Sequence, residues 1–210
     1  MALFLTFEGG EGSGKTTQIQ LLAQALKARG LVCVTTREPG GTEIGTEIRK
    51  ILLDGKNHHL DALAELMLYA ADRAQHIGET IRPALEAGKI VLCDRFTDAT
   101  VAYQGFGREL DLKLITELNQ LATGGLKPDR TYLLDLPVEA GLARAKARLQ
   151  RQKSSEGRFE AEALSFHEKV REGYLRLARE ETRRIRVVDA TLEIDAIHRK
   201  ILQDLEALLK

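Results

Sequence analysis

Residues 9–16 read Gly-Gly-Glu-Gly-Ser-Gly-Lys-Thr, and this octapeptide constrains the fold more than any other part of the chain. It fits the spacing G-x-x-x-x-G-K-[ST], in which glycines let successive backbone N–H groups converge on a phosphate. The device works when a strand feeds the loop and the loop opens a helix, because the helix N-terminus adds its partial positive charge to the anion site. Both flanks comply. Leu3 to Phe7 is an apolar, β-rich run, and Lys15 to Arg29 carries Ile19, Leu22 and Leu26 at helical spacing before Gly30 stops it. Gly10, Glu11, Gly12, Ser13, Gly14, Lys15, Thr16 and Thr17 are therefore read as a nucleotide-phosphate site for ATP or GTP. Lys15 would lie on the β- and γ-phosphates and the Thr16 hydroxyl on Mg²⁺.

The rest of the chain supplies partners for that strand. Leu31–Thr35, Ile90–Cys93, Thr131–Leu136 and Ile185–Val188 are short apolar runs, several of them continuous rather than alternating. Strands buried on both faces of a parallel sheet look like this. Leu60 to Arg82 has a helical stripe of Leu60, Leu63, Met67, Ala70, Ala74, Ile77 and Ile81, and its end is expected at Pro83. A last helix carries Ile194, Ile197, Ile201, Leu205 and Leu208. Strand–helix alternation implies right-handed crossovers and an α/β fold, a doubly wound five-stranded parallel sheet with helices on both faces. With 210 residues and no linker-like tract, one domain over 1–210 is expected.

Composition narrows the function. Lysine and arginine number 31 and aspartate and glutamate 31, so the net charge is zero. Broad nucleic-acid or membrane-surface binding, which usually shows a basic excess, is disfavoured. Aromatic residues make up 5% and tryptophan is absent, which argues against a stacking platform for single strands. Cys33 and Cys93 sit in apolar runs and read as buried reduced thiols of a cytoplasmic protein. No apolar run reaches a membrane span, and Met1 to Phe7 lacks the basic start of a signal peptide. The five histidines show no metal spacing.

Further charged residues are placed for anion chemistry. Asp94 ends the third strand run, where it can bind Mg²⁺ directly or through water, or serve as a strand-end carboxylate paired to Arg95. Arg37 and Arg95 follow the second and third strands, whose carboxyl ends face the ligand crevice in such folds. Tyr69 and Arg73 share a helix face at i and i+4, as a surface stack or as an aromatic plane plus guanidinium suited to a flat base. Arg144, Lys146, Arg148, Arg151 and Lys153 form a run without an acid, with Arg158 soon after. The run is a solvated helix face or a mobile flap that carries cations to an anionic ligand. A guanine-reading N-K-x-D segment is absent, which disfavours a GTPase.

The chain resembles the bacterial thymidylate kinase family. The resemblance rests on Phe7-Glu8-Gly9 leading into the loop, Thr36-Arg37-Glu38-Pro39-Gly40-Gly41-Thr42, Tyr69-Ala70-Ala71-Asp72-Arg73, Asp94-Arg95-Phe96 and Ala102-Tyr103-Gln104-Gly105. It implies phosphorylation of dTMP to dTDP by ATP with Mg²⁺, in a cytoplasmic homodimer without nucleic-acid or membrane partners. Leu66 and Leu68 on the long helix are compatible with such a contact or with a wide core face. By resemblance, Arg37 and Arg95 hold the dTMP phosphate, Tyr69 stacks on thymine, and Arg73 bonds its C4 carbonyl. Thr100 and Gln104 line the base pocket, Tyr103 lies under the deoxyribose, and Glu11 meets the 3′-hydroxyl. The basic run corresponds to a LID over about 144–158, with Arg144 near adenine and Arg148 toward the transferred phosphate. The loop has no arginine, so the catalytic one must come from the LID, beside Lys15 and Arg95. Phe96 and Ala99 stand where many relatives have polar residues, and modest effects on affinity are expected. A deoxynucleoside kinase and a non-catalytic nucleotide switch are the rival readings.

Overall fold

The structure is a computed structural model that describes residues 2–152 and 155–209. Five strands, β1 (Leu3–Glu8), β2 (Cys33–Arg37), β3 (Ile90–Asp94), β4 (Arg130–Asp135) and β5 (Ile185–Asp189), form one parallel sheet in the order β2-β3-β1-β4-β5. Side chains alternate along β1. Leu5 and Phe7 join a core with α1 (Lys15–Ala28) and α9 (Ile194–Leu208), while Phe4 faces Val91, Cys93 and Phe96 on the other side. The expected fold is thus observed. Registers bring Arg37 opposite Asp94 and Asp94 opposite Phe7. Three carboxyl ends therefore converge where the phosphate loop leaves β1.

The remaining helices are α2 (Glu43–Leu53), α3 (Ala62–His76), α4 (Arg82–Glu86), α5 (Thr97–Thr100), α6 (Leu112–Thr123), α7 (Val138–Gln152) and α8 (Leu164–Glu180). The second strand starts two residues later than expected. The Leu31 N–H donates to the Leu26 carbonyl around Gly30, at φ +75°, so Leu31 closes α1 instead of entering the sheet. The long helix also differs from expectation, since it continues past Pro83. A π-helical turn over Ile77–Ile81 joins α3 to α4, and Pro83 then sits in the first turn of α4, where its missing N–H costs nothing.

The face of α3 is a second correction. Leu63 and Met67, expected in the core, are exposed, whereas Glu65, Asp72, Arg73 and His76 are buried together with Leu66. Leu66 is therefore a core residue. The helix turns polar groups inward because each meets a partner there: Glu65 accepts from Gln104 and Arg158, Asp72 from the Gly40 N–H, and Arg73 and His76 both reach Glu38.

After α5 a second π-helical segment, Val101–Gly107, runs against α8. Two glycines set that contact. A Cβ on Gly107 would stand 2.6 Å from the Phe166 ring of α8, and one on Gly173 of α8 would stand 2.7 Å from the Phe106 ring. Each element thus receives a phenylalanine of the other into a glycine, and the pair can approach no other way.

Candidate active site

The phosphate loop occupies the turn between β1 and α1. Gly14, at φ +93°, precedes α1 and no side chain caps the helix, which leaves its first N–H groups directed at the crevice. Lys15 folds back over the loop, with Nζ donating to the carbonyls of Gly9 and Gly10 at 3.1 Å each. Burial, with the nearby Arg95 cation, pulls its ammonium down to about 8. A phosphate in place of those carbonyls would give the ammonium an anionic partner and favour its charged form. Gly12 and Gly141 of α7 face each other so closely that a Cβ on either would meet the other's stretch of backbone. The loop and the base of α7 are therefore packed backbone against backbone.

Thr16 Oγ1 donates to Asp94 Oδ2 at 3.0 Å. A hydroxyl and a carboxylate side by side at the loop mouth suit Mg²⁺, which takes few protein oxygens and keeps several waters. Asp94 is tied to Thr16, and the donors of Arg95 go elsewhere. Arg95 NH1 reaches the Gly9 carbonyl (3.1 Å) and the Tyr174 hydroxyl (3.0 Å), and NH2 reaches Glu11 Oε1 and the Tyr103 hydroxyl (both 3.0 Å). Its guanidinium lies 4.8 Å from the Tyr103 ring centre. The residue has φ +70°, a left-handed conformation that costs a non-glycine residue about 1–2 kcal/mol. Buried neighbours hold it there, because Glu8 Oε1 accepts the Phe96 N–H at 2.7 Å.

Acids accompany the cations here: Glu8, Glu11 and Asp94 lie beside Lys15 and Arg95. Burial alone would raise the Glu11 carboxyl, but Arg95 and Lys15 outweigh it and hold it at about 2. Burial, with the charge of Asp98, pushes Glu8 up to about 8. Glu8 Oε2 accepts the Tyr174 hydroxyl at 2.7 Å. Neither Glu8 nor Tyr174 is legible as a site residue from sequence. Glu8 lies inside a quoted motif without a role, and Tyr174 is one more tyrosine on a helix.

The acceptor side is built from α3 and the segment after β3. Arg73 is buried, donating from Nε to Glu38 (2.8 Å), NH1 to Asn119 (2.8 Å) and NH2 to the Phe96 carbonyl (3.1 Å). Its guanidinium lies 5.4 Å from the Phe96 ring centre, so its aromatic neighbour is Phe96 and the surface stack with Tyr69 is not formed. Glu38 also accepts from His76 Nδ1 at 3.0 Å. Tyr69 is half-buried and Arg37 exposed at the end of β2. The Thr100 hydroxyl is buried without a hydrogen-bond partner. Gln104 Nε2 donates to Glu65 at 2.7 Å.

The basic run is helical through Gln152 and is an exposed face of α7. Arg144 stands against Gly12 of the loop, and Arg148 lies 3.6 Å from Glu160. Lys153 and Ser154 lie outside the described residues. Arg158 is no flap cation, because it is buried and bound to Glu65 at 2.6 Å and to the Leu52 carbonyl.

A phosphate loop feeding α1, an oxygen pair for a hard cation and the arginines Arg95 and Arg73 beside them define a phosphate-loop protein of the nucleoside monophosphate kinase type. The family model for thymidylate kinase matches residues 7–201, and the chain belongs to that family. It is similar to the thymidylate kinase of Syntrophotalea carbinolica, at 55% identity over 96% of this chain and 94% of the relative. With that of Desulfovibrio desulfuricans it shares 52% identity over 99% and 97% of the two chains. The crystal structure of thymidylate kinase from Ehrlichia chaffeensis superposes with a TM-score of 0.78 at 35% identity, covering 98% of both chains.

Proposed function

We propose that the chain transfers the γ-phosphoryl group of ATP to dTMP, giving dTDP for thymidine nucleotide synthesis. The observation that carries the reading is Arg95, whose one guanidinium joins the Gly9 carbonyl of the phosphate loop to the Tyr103 hydroxyl of the acceptor wall. A cation so placed neutralises charge between donor and acceptor as it develops. Phosphoryl transfer asks mainly for alignment and cations. The dTMP phosphate oxygen is already anionic near neutral pH, so no histidine is assigned as a base.

In this reading Gly10–Thr17 bind the ATP phosphates, with Lys15 on the transferred group and Arg144 beside adenine. Arg148 leaves Glu160 for the phosphate when the LID, about 144–158, closes over the single kinase domain. Arg37 and Arg95 bind the dTMP phosphate, and Tyr69, Arg73, Thr100 and Gln104 bind its base. Tyr103 and Glu11 bind the sugar. Thr16 and Asp94 would hold Mg²⁺, which supplies charge neutralisation on the phosphates.

We also propose a homodimer on α2 and α3. Ile44 and Ile51 of α2 and Leu63 and Met67 of α3, on neighbouring helices, are 40–55% exposed, and a second copy covers such a patch. A cytoplasmic location accords with the two free thiols. No helix among the described residues is long and apolar enough to cross a membrane.

The test is ADP release with ATP and Mg²⁺ against dTMP, thymidine and the other nucleoside monophosphates. Turnover with dTMP that falls about 10²–10³-fold in Lys15→Met, with the fold intact, is expected. Preference for thymidine over dTMP identifies a nucleoside kinase, and ATP binding without acceptor-dependent ADP release identifies a switch.

A further inference from the structure

Glu65 lies fully buried on α3 and accepts from three side chains. Gln104 Nε2 donates to Oε1 at 2.7 Å, Arg158 NH2 to Oε2 at 2.6 Å, and Arg108 to the two oxygens at 3.3 and 3.2 Å. Opposite two guanidinium groups the carboxylate presents acceptors only, so the Gln104 atom that faces it is the amide nitrogen. That settles the other half of the amide. The Gln104 oxygen turns away from Glu65 as a fixed acceptor, and no donor to it is found among the described residues. One helical turn earlier the Thr100 hydroxyl, 2% exposed, is also without a partner. An acceptor and a hydroxyl thus wait unpaired on the acceptor wall, next to elements that carry the donor Arg73.

We infer that Glu65 is a positioning residue for base selection, holding the Gln104 amide so that its carbonyl meets an N–H of the base. The inference rests on the dTMP reading proposed above. Thymine carries N–H at N3 and a carbonyl at C4, which fit the Gln104 carbonyl and Arg73. Cytosine carries a bare ring nitrogen at N3, so two acceptors would face each other. Glu65 touches no substrate itself. It acts through Gln104, and its two arginines keep it from turning with the amide.

The experiment measures kcat/KM for dTMP and for dCMP in the wild type, Glu65→Gln, Gln104→Ala and the double variant. An amide at position 65 can donate as well as accept, so Gln104 is free to turn over. Glu65→Gln is expected to lower the dTMP-to-dCMP ratio by about tenfold or more, as removal of one directed hydrogen bond does, with KM for ATP held within about twofold. In the Gln104→Ala background the same substitution is expected to leave the ratio unchanged. A wild-type ratio in Glu65→Gln, or an equal fall in both backgrounds, overturns the inference.

Should Glu65→Gln fail to fold, NMR of the unaltered protein decides. The Gln104 side-chain amide, identified by its loss in Gln104→Ala, should couple through its hydrogen bond to the Glu65 carboxyl carbon with dTMP bound. Loss of that coupling on dTMP binding overturns the inference. A wild type that makes no dTDP defeats the functional reading, whereas one that makes dTDP while Glu65→Gln keeps its selectivity defeats the inference alone.

Discussion

Replacing Gly173 by alanine tests how closely α8 must sit on the segment Val101–Gly107. The added carbon would stand 2.7 Å from Cδ2, 2.8 Å from Cγ and 3.0 Å from Cβ of Phe106. The last distance decides the outcome, because a ring can turn about χ1 but its Cβ moves only with the backbone. Restoring an ordinary contact of 3.4 Å therefore parts the two elements by about 0.4 Å. Alanine is favoured over glycine inside a helix by about 1 kcal/mol, while overpacking costs about 1–3 kcal/mol. The net loss of about 0–2 kcal/mol lowers Tm by at most about 8 °C in a chain of this size. Catalysis suffers as well. Tyr174 stands on α8 and Tyr103 on the facing segment, and Arg95 donates to both at 3.0 Å. Parting them by about 0.4 Å stretches one of these hydrogen bonds to about 3.4 Å, past its ordinary range, and weakens it. A hydrogen bond to a charged group contributes about 1.5–3 kcal/mol, and losing about half of it should lower kcat/KM for dTMP roughly 4–10-fold. Coupled ADP release with a dTMP titration, run beside thermal melting, measures both effects. Wild-type kcat/KM with a raised Tm would refute the reasoning, since helix propensity would then have won and the spacing would not matter.

Asp94→Asn should raise the Mg²⁺ concentration needed for half-maximal activity by about tenfold or more and leave KM for dTMP nearly unchanged, which a magnesium titration at fixed nucleotide checks. Burial and the Asp98 charge lift Glu8 from 4.5 to about 8 in the folded chain. Between those values the folded chain keeps a proton that the unfolded chain has lost, so the contribution of Glu8 is full below about pH 4.5 and lost as pH rises through about 8. Glu8→Gln is neutral throughout and should lessen that fall, and urea midpoints at about pH 5 and about pH 8 compare the two proteins. Met67→Asp puts a charge in the exposed patch of α2 and α3 and should shift sedimentation from dimer to monomer, whereas an unchanged dimer places the interface elsewhere.

What the sequence reveals follows from how local each feature is. The phosphate loop is legible because eight consecutive residues carry its geometry. The strands are legible because burial on both faces leaves continuous apolar runs. The start of β2 is misjudged because Leu31 has an equally apolar task in closing α1. The helix through Pro83 is hidden because a π-turn changes the register just ahead of the proline. Arg158 reads as a flap cation until its partner Glu65, 93 positions away in sequence, is placed beside it. Glu8, Tyr174 and Glu65 stay invisible for the same reason, since each acts through a neighbour that only the fold supplies. The outward Leu63 and Met67 defeat the pattern rule itself, which assumes that the apolar face of a helix points to its own core.

The pairing of Arg95 with Glu11 at 3.0 Å would bear on which molecules the crevice admits. A cation already matched by a carboxylate offers a passing anion little attraction, and removing that match leaves Glu11 with the weaker influence of Lys15 alone. Inorganic phosphate brings no replacement partner, so it meets that penalty in full. In the dTMP reading proposed above, a nucleotide with a 3′-hydroxyl would give Glu11 a donor as Arg95 turned to the phosphate. The acid in the loop would then work as an entry filter, under which charge alone does not suffice and the sugar must arrive with it.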